Sequence, residues 1–314
     1  MKVISVERRT SVLAPSSLAC LAHITAINLT SGCAHNCIYC YARGYSTYPG
    51  QGVVLVYKNT LEKLKNELSR KRNKPKMVYF SPSSDIFQPI PEVSELAYFI
   101  LEFLFSKSIG IAFLSKGYIP EKIMDLLLSN ADKVRAQIGI ITPYDDIRRI
   151  FEPNAANIDI RMQQMKKMVA GGIAVEARLM PVLPGITDTV NSLDLLFSAI
   201  ADIGVRQAAI STLFLRPAII KSLKMYIPNH DSSHILLNLY ENLARIAVHV
   251  ERSSVIPLSR SMREKIYNRL TQVASKYAIN VSVCGCMNPD IGGTCNIGGD
   301  WREYSKKAVQ PNLF

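Results

Sequence analysis

Short runs of apolar, often β-branched residues alternate along this chain with longer amphipathic stretches. Residues 24–29, 77–80, 109–114, 134–141, 173–181 and 205–213 read as six strands. Residues 61–71, 93–105, 120–129, 158–170, 189–202 and 233–250 carry apolar positions at helical spacing and are expected to be helices. Pro120 opens the third of these, and Gly171-Gly172 closes the fourth. Strands separated by helices of this length imply βαβ units and a parallel sheet, because a parallel neighbour is reached only through a long crossover. Six such units predict an α/β fold, a partial (β/α)6 TIM-type barrel with its functional loops at the C-terminal ends of the strands.

The plan changes after residue 255. A helix is expected over 260–277 and a short strand over 280–283, followed by a glycine-rich cysteine loop to about residue 299 and a polar tail. The chain thus divides into an N-terminal segment 1–22, a barrel over 23–255, and a cysteine-rich C-terminal extension over 256–314. No internal repeat or low-complexity linker interrupts it.

At 314 residues, with 48% hydrophobic and 20% charged positions, the chain has the composition of a globular protein, which excludes wholesale disorder and coiled coil. The longest apolar stretches, 109–114 and 195–200, are far shorter than the roughly 18 residues that span a bilayer, so no membrane association is expected. Arg8-Arg9 before a mildly apolar stretch is similar to a twin-arginine export signal, but Pro15 and His23 interrupt it. A cytoplasmic location is expected. The net charge of +12 favours a polyanionic partner. Residues 58–76 hold eight Lys/Arg against two Glu and are expected on the N-terminal face of the barrel. Arg206, Arg216, Lys221 and Lys224, near the sixth strand, are expected closer to the functional face.

Six of the seven cysteines fall into two triplets. Cys33, Cys37 and Cys40 follow the first strand with the spacing C-x3-C-x2-C. Three thiolates on one short loop suit three irons of a 4Fe–4S cube, leaving the fourth iron open to a bidentate ligand. A zinc knuckle completed by His35 is the plain alternative, although zinc sites favour paired cysteine spacings. Cys284, Cys286 and Cys295, spaced C-x-C-x8-C among glycines, admit three readings: a second iron–sulfur cluster, zinc completed by Asp290 or a distant histidine, or one disulfide with a spare thiol. Cys20 stands apart, as a fourth ligand, a hydrogen-atom donor or a core residue. Of the histidines, His230 and His234 are expected at a helix entry, and Met162, Met165 and Met168 on a helix core face. No phosphate-binding loop, dinucleotide fingerprint or hydrolase triad is visible.

The first triplet resembles that of the radical S-adenosylmethionine superfamily. Cys37-Ile38-Tyr39-Cys40-Tyr41-Ala42-Arg43, Ser81-Pro82-Ser83-Ser84-Asp85-Ile86-Phe87-Gln88-Pro89, Ser115-Lys116, Phe151-Glu152-Pro153, Arg161, Ala170-Gly171-Gly172 and Pro181-Val182-Leu183-Pro184-Gly185-Ile186-Thr187-Asp188 resemble its spore photoproduct lyase-like branch, often labelled DNA repair photolyase-like. The resemblance covers about residues 24–217. It implies a cluster held by Cys33, Cys37 and Cys40, with the amino and carboxylate groups of S-adenosylmethionine on the open iron and reductive cleavage to a 5′-deoxyadenosyl radical. It further implies Tyr39 beside the adenine and Ser83, Ser84 and Asp85 near the amino group. Lys116, Arg161 and Arg178 are implied near the carboxylate or ribose. A one-electron reductant such as flavodoxin or ferredoxin is implied as partner. The substrate stays open between nucleic acid, undergoing repair or modification, and a peptide or small molecule modified with the help of a second cluster. A non-catalytic, zinc-stabilised nucleic-acid-binding protein is the alternative from another class.

Overall fold

The computed structural model describes residues 1–15, 21, 24–227, 236–248 and 253–294. Cys20, Cys295, His23, His230, His234 and His249 lie outside them.

The chain starts with β1 (Lys2–Val6), β2 (Ala14–Pro15), β3 (Thr25–Ile27), β4 (Thr30–Ser31) and β5 (Val53–Tyr57). The barrel units follow as α1 (Thr60–Arg70), β6 (Met77–Phe80), α2 (Pro91–Ser106), β7 (Gly110–Ser115), α3 (Glu121–Leu128) and β8 (Val134–Gly139). Next come α4 (Asp145–Phe151), α5 (Ile158–Ala170), β9 (Ala174–Val182), α6 (Val190–Asp202), β10 (Gln207–Thr212) and α7 (Pro217–Tyr226). The C-terminal part holds β11 (Ile246–Val248), β12 (Ser253–Val255), α8 (Arg260–Ser275) and β13 (Asn280–Val283).

Eight strands form the main sheet in the order β13-β10-β9-β8-β7-β6-β3-β2, parallel from β13 to β3 with β2 antiparallel at the edge. This is the partial barrel the alternating pattern predicts, extended by a seventh parallel strand. That strand, β13, comes from the cysteine-rich extension and pairs with β10 from Gln207↔Asn280 to Ile210↔Val283.

Side chains alternate across each strand. Val78, Phe80, Ile111, Phe113 and Ile210 face the helices, in a core where each is fully removed from water. Each such side chain stabilises the fold by about 1.5–3 kcal/mol. The opposite parity faces the lumen and is polar on two strands, Arg135 and Gln137 on β8 and Glu176 and Arg178 on β9. Gln137 Nε2 donates to Glu176, Arg178 Nη1 donates to Gln137 Oε1 at 2.7 Å, and Arg135 lies 3.7 Å from Glu176.

The structure departs from the sequence pattern in several places. Among the described residues the expected helix does not continue past 238: residues 236–238 end a helical turn, Asn242 takes a left-handed φ of +58°, and β11 pairs antiparallel with β12. A left-handed residue ends a helix, and the β-branched Ile246 and Val248 then suit a strand better. Residues 233–235 and 249–250 of that expected helix lie outside the described residues. The helices α4 and α7 and the small sheet β1-β5-β4 were not expected from the sequence pattern. Arg8 belongs to that small sheet's packing, its guanidinium 4.0 Å from the Tyr57 ring centroid. Arg206 is corrected in position. It precedes β10, at the N-terminal end of the barrel, and donates to the carbonyls of Ala201 and Val205.

Candidate active site

The first cysteine loop leaves β4 through Gly32, whose φ is +82° and where an added Cβ would sit 2.4 Å from the Val53 carbonyl oxygen. Only glycine permits that conformation so close to β5. Neighbouring segments hold the loop along its length. The Ala34 N–H donates to Gln88 Oε1 (2.8 Å), Ile38 N–H to the Phe151 carbonyl (3.0 Å), and Asn154 Nδ2 to the Ala34 carbonyl (3.0 Å). His35, buried inside the loop, places Nε2 3.0 Å from Asp85 Oδ2 and Nδ1 3.2 Å from the Asn154 carbonyl. Arg43 ties the far side to Asn36 Oδ1 (2.6 Å) and the Cys37 carbonyl (3.1 Å). The result is a fixed turn whose three cysteines line one cavity at the C-terminal ends of the strands.

The loop after β6 supplies the opposite wall. Ser81, Ser83, Ser84 and Asp85 all line the cavity. Asp85 is an organiser of this loop. Its carboxylate accepts from Ser115 Oγ (2.9 Å) and from the N–H groups of Phe87 and Lys116 (2.8 Å each), besides facing His35. Burial pushes this carboxyl up, but His35 and these N–H donors hold it below the ordinary carboxylate range. Among the described residues, the buried hydroxyls Ser81 Oγ and Ser84 Oγ have no hydrogen-bond partner, and Ser81 adopts a left-handed φ of +56°. Buried polar atoms without partners at a strained backbone position suit a site completed by a ligand.

Lys116, immediately after β7, and Arg178, in the middle of β9, also line the cavity. The Lys116 ammonium lies 5.2 Å from the Tyr39 ring centroid and 3.5 Å from Glu152 Oε1. Arg161, implied near the cofactor's carboxylate or ribose, does not line the cavity: it is fully buried behind the wall, with Nη1 2.6 Å from Glu152 Oε2. Glu152 also accepts the Tyr39 hydroxyl. Burial pushes the Glu152 carboxyl up, while Arg161, Lys116 and Tyr39 together hold it below its ordinary range.

Among the described residues, no three His, Cys, Asp or Glu side chains converge on a point that could hold a single metal ion. A cube of four irons asks for something different, thiols spread around a space rather than gathered at one point. Burial, together with the Glu152 carboxylate, pushes the Cys37 thiol up to about 12, and burial and Asp85 push Cys33 well above its ordinary value. Thiols in such surroundings become thiolates only against a cationic core, which deprotonates its ligands outright. Donor chemistry, orphaned hydroxyls and shared cavity together fit an iron–sulfur cluster with a polar organic ligand beside it.

Cys284 and Cys286 line the same cavity from the other side. Both are buried, packed with Phe214, Val248 and Val255. The loop carrying them closes on itself through Asn288, which is fully buried. Its Oδ1 accepts from Arg263 Nη1 (3.0 Å) and the Tyr267 hydroxyl (2.8 Å), and its Nδ2 donates to the Cys284 carbonyl (2.9 Å). Asp290 is engaged elsewhere than a metal: its two oxygens receive Arg263 at 2.9 and 2.5 Å.

Sequence reasoning assigned no role to Glu152 or Ser81, though both stand inside the quoted motifs, and used His35 only as a zinc ligand. Burial makes these residues part of the site, and no periodicity or spacing signals it.

The family model for the Radical SAM superfamily matches residues 27–196. An uncharacterized protein of Mycobacterium tuberculosis is 24% identical over 262 residues, 81% of this chain and 74% of that protein. A radical SAM Nalpha-GlyT isomerase of Pseudomonas phage M6 is 30% identical over 173 residues, 55% of this chain and 35% of that protein. Among solved structures, spore photoproduct lyase with bound AdoMet and dinucleoside spore photoproduct superposes with a TM-score of 0.69 at 15% identity, over 90% of this chain and 81% of that one. A radical S-adenosylmethionine methyltransferase from Kitasatospora setae gives 0.52 at 11% identity, over 88% of this chain and 57% of that one. Both structures share the fold.

Proposed function

This chain belongs to the radical SAM superfamily, and from that premise we propose that Cys33, Cys37 and Cys40 hold a 4Fe–4S cluster and that the cavity beside them receives S-adenosylmethionine. The protein is an enzyme of that superfamily, which sets aside the non-catalytic zinc-stabilised alternative. When bound, the cluster and the sulfonium cofactor supply an electron and, through it, a radical able to remove hydrogen from carbon. The chain's residues bind and orient. Ser83 and Ser84 offer hydroxyls to the amino group, Lys116 and Arg178 offer cations to the carboxylate or ribose, and Tyr39 flanks the adenine. Asp85 serves this wall by fixing its loop. Apolar lining from Leu114, Met180 and Phe214 excludes water from the reacting carbon. Such chemistry needs an electron donor, for which we propose flavodoxin or ferredoxin, and a cytoplasmic setting suits it. No helix among the described residues is long and apolar enough to cross a membrane.

The substrate reading is nucleic acid, undergoing repair or modification. It is supported by the net charge of +12 and by the likeness in fold to a lyase solved with a dinucleoside photoproduct. A second reading is a peptide or small molecule modified with the help of a second metal centre. The observation favouring it is that Cys284 and Cys286 face the same cavity as the first triplet. We assign that second centre to Cys284, Cys286 and Cys295. Combined alanine substitution of all three is expected to lower the iron of anaerobically reconstituted protein to that of a single cluster, and an unchanged iron count eliminates the site. Candidate substrates carrying deuterium separate the readings: label reaching 5′-deoxyadenosine from an oligonucleotide supports the first, and label arriving only from peptides or metabolites overturns it.

A further inference from the structure

Behind the cavity wall, one carboxylate joins the cluster loop, the β7 exit and the core. Glu152 immediately follows α4, and its side chain is wholly removed from water. Its Oε2 faces Arg161, which in turn donates to the carbonyls of Gly139 and Ala156 at 2.8 Å each. Its Oε1 accepts the Tyr39 hydroxyl and lies 3.5 Å from the Lys116 ammonium. Lys116 Nζ is also 3.4 Å from the Met180 carbonyl. One oxygen is therefore anchored in the core, and the other holds the two side chains that reach the cavity. Two cations face one carboxylate, and of the two Lys116 lines the cavity while Arg161 does not.

We propose that Glu152 is a positioning residue for the sulfonium cofactor: it fixes the Lys116 ammonium and the Tyr39 ring in the arrangement that meets the cofactor's carboxylate and adenine. The proposal rests on the cofactor reading above. A lysine on a flexible four-carbon stem loses rotamer freedom when it grips a ligand. Lys116, already held over Tyr39 by Glu152 and the Met180 carbonyl, has met that cost during folding, so binding is tighter. The Arg161 side of Glu152 sets stability, and the Oε1 side sets affinity.

The test measures S-adenosylmethionine binding by calorimetry on the anaerobically reconstituted, unreduced full chain, with iron content recorded for each variant. In Glu152→Gln, iron per chain is expected to stay at the wild-type level while the Kd rises about tenfold or more, the scale of one charged hydrogen bond. Lys116→Met should weaken binding similarly. The double variant should lose much less than the product of the two single effects, because both act through one contact. Wild-type affinity in Glu152→Gln, or fully multiplicative losses, overturns the proposal. Should Glu152→Gln fail to fold because Arg161 is left as an unpaired buried cation, Glu152→Gln with Arg161→Gln removes that charge and is held to the same tenfold expectation. Wild-type protein that carries its iron but binds no S-adenosylmethionine overturns the cofactor reading itself, an outcome distinct from failure of the positioning role.

Discussion

Arg263 is a buried cation, with 2% of its side chain exposed, whose charge is answered by Asp290 across two hydrogen bonds. Those bonds hold the Asp290 carboxyl below its ordinary value. A carboxyl depressed in the folded state stabilises above its unfolded pKa, near 3.9, and that contribution is lost as pH falls through the folded value. Asp290→Asn is therefore expected to lower the thermal midpoint by a few degrees at pH 7, with the gap to wild type closing as the pH falls below about 4. A gap that does not narrow between pH 7 and pH 3 contradicts the ion-pair account. At this scale the gathering of Cys33, Cys37 and Cys40 on one cavity was legible, because their close spacing marks a single loop. Glu152 and Arg161 were not, because a buried ion pair nine positions apart reads like any charged pair on a surface. Asp290 was offered as one possible zinc ligand for the same reason: a carboxylate between cysteines resembles a ligand until its arginine is seen.

The loop after β13 depends on two glycines that approach each other closely. A Cβ at Gly285 would meet the Gly293 carbonyl oxygen at 2.2 Å, and one at Gly293, with φ +114°, would meet the Val283 carbonyl oxygen at 2.3 Å. Backbone atoms cannot yield as a flexible side chain can, so Gly293→Ala should open the loop. The expected outcome is faster proteolysis between 284 and 294 and loss of iron from the second triplet alone, read by limited proteolysis and iron analysis. Unchanged protection would show that the close approach is dispensable. Helix α5 and strand β6 were found at their sequence boundaries. The short strand pairs were not, because β1 and β5 gain their partners from distant segments and β11 competes with a helical pattern. Nor does sequence disclose that β13 joins the barrel sheet, since register with β10 is a tertiary choice.

The densest basic run and the cavity lie at opposite ends of the barrel strands. The basic run over 58–76 lies on α1 and the loop entering β6 from its N-terminal side, whereas the cavity opens at the strands' C-terminal ends. Binding to a DNA duplex is expected to weaken steeply between about 50 and 200 mM salt. Replacing Arg70, Lys71, Arg72 and Lys74 by Gln should flatten that salt dependence, measured by fluorescence anisotropy, without altering cofactor cleavage. An unchanged slope removes this face from any nucleic-acid contact. The central claim is that one loop of three thiols arms the cavity for reductive cleavage of a sulfonium. Its most direct measurement is 5′-deoxyadenosine formed from S-adenosylmethionine by anaerobically reconstituted protein under reducing conditions. Wild type should form it and Cys37→Ala should form none. Formation that persists in Cys37→Ala, or its absence from iron-loaded wild type, contradicts the account.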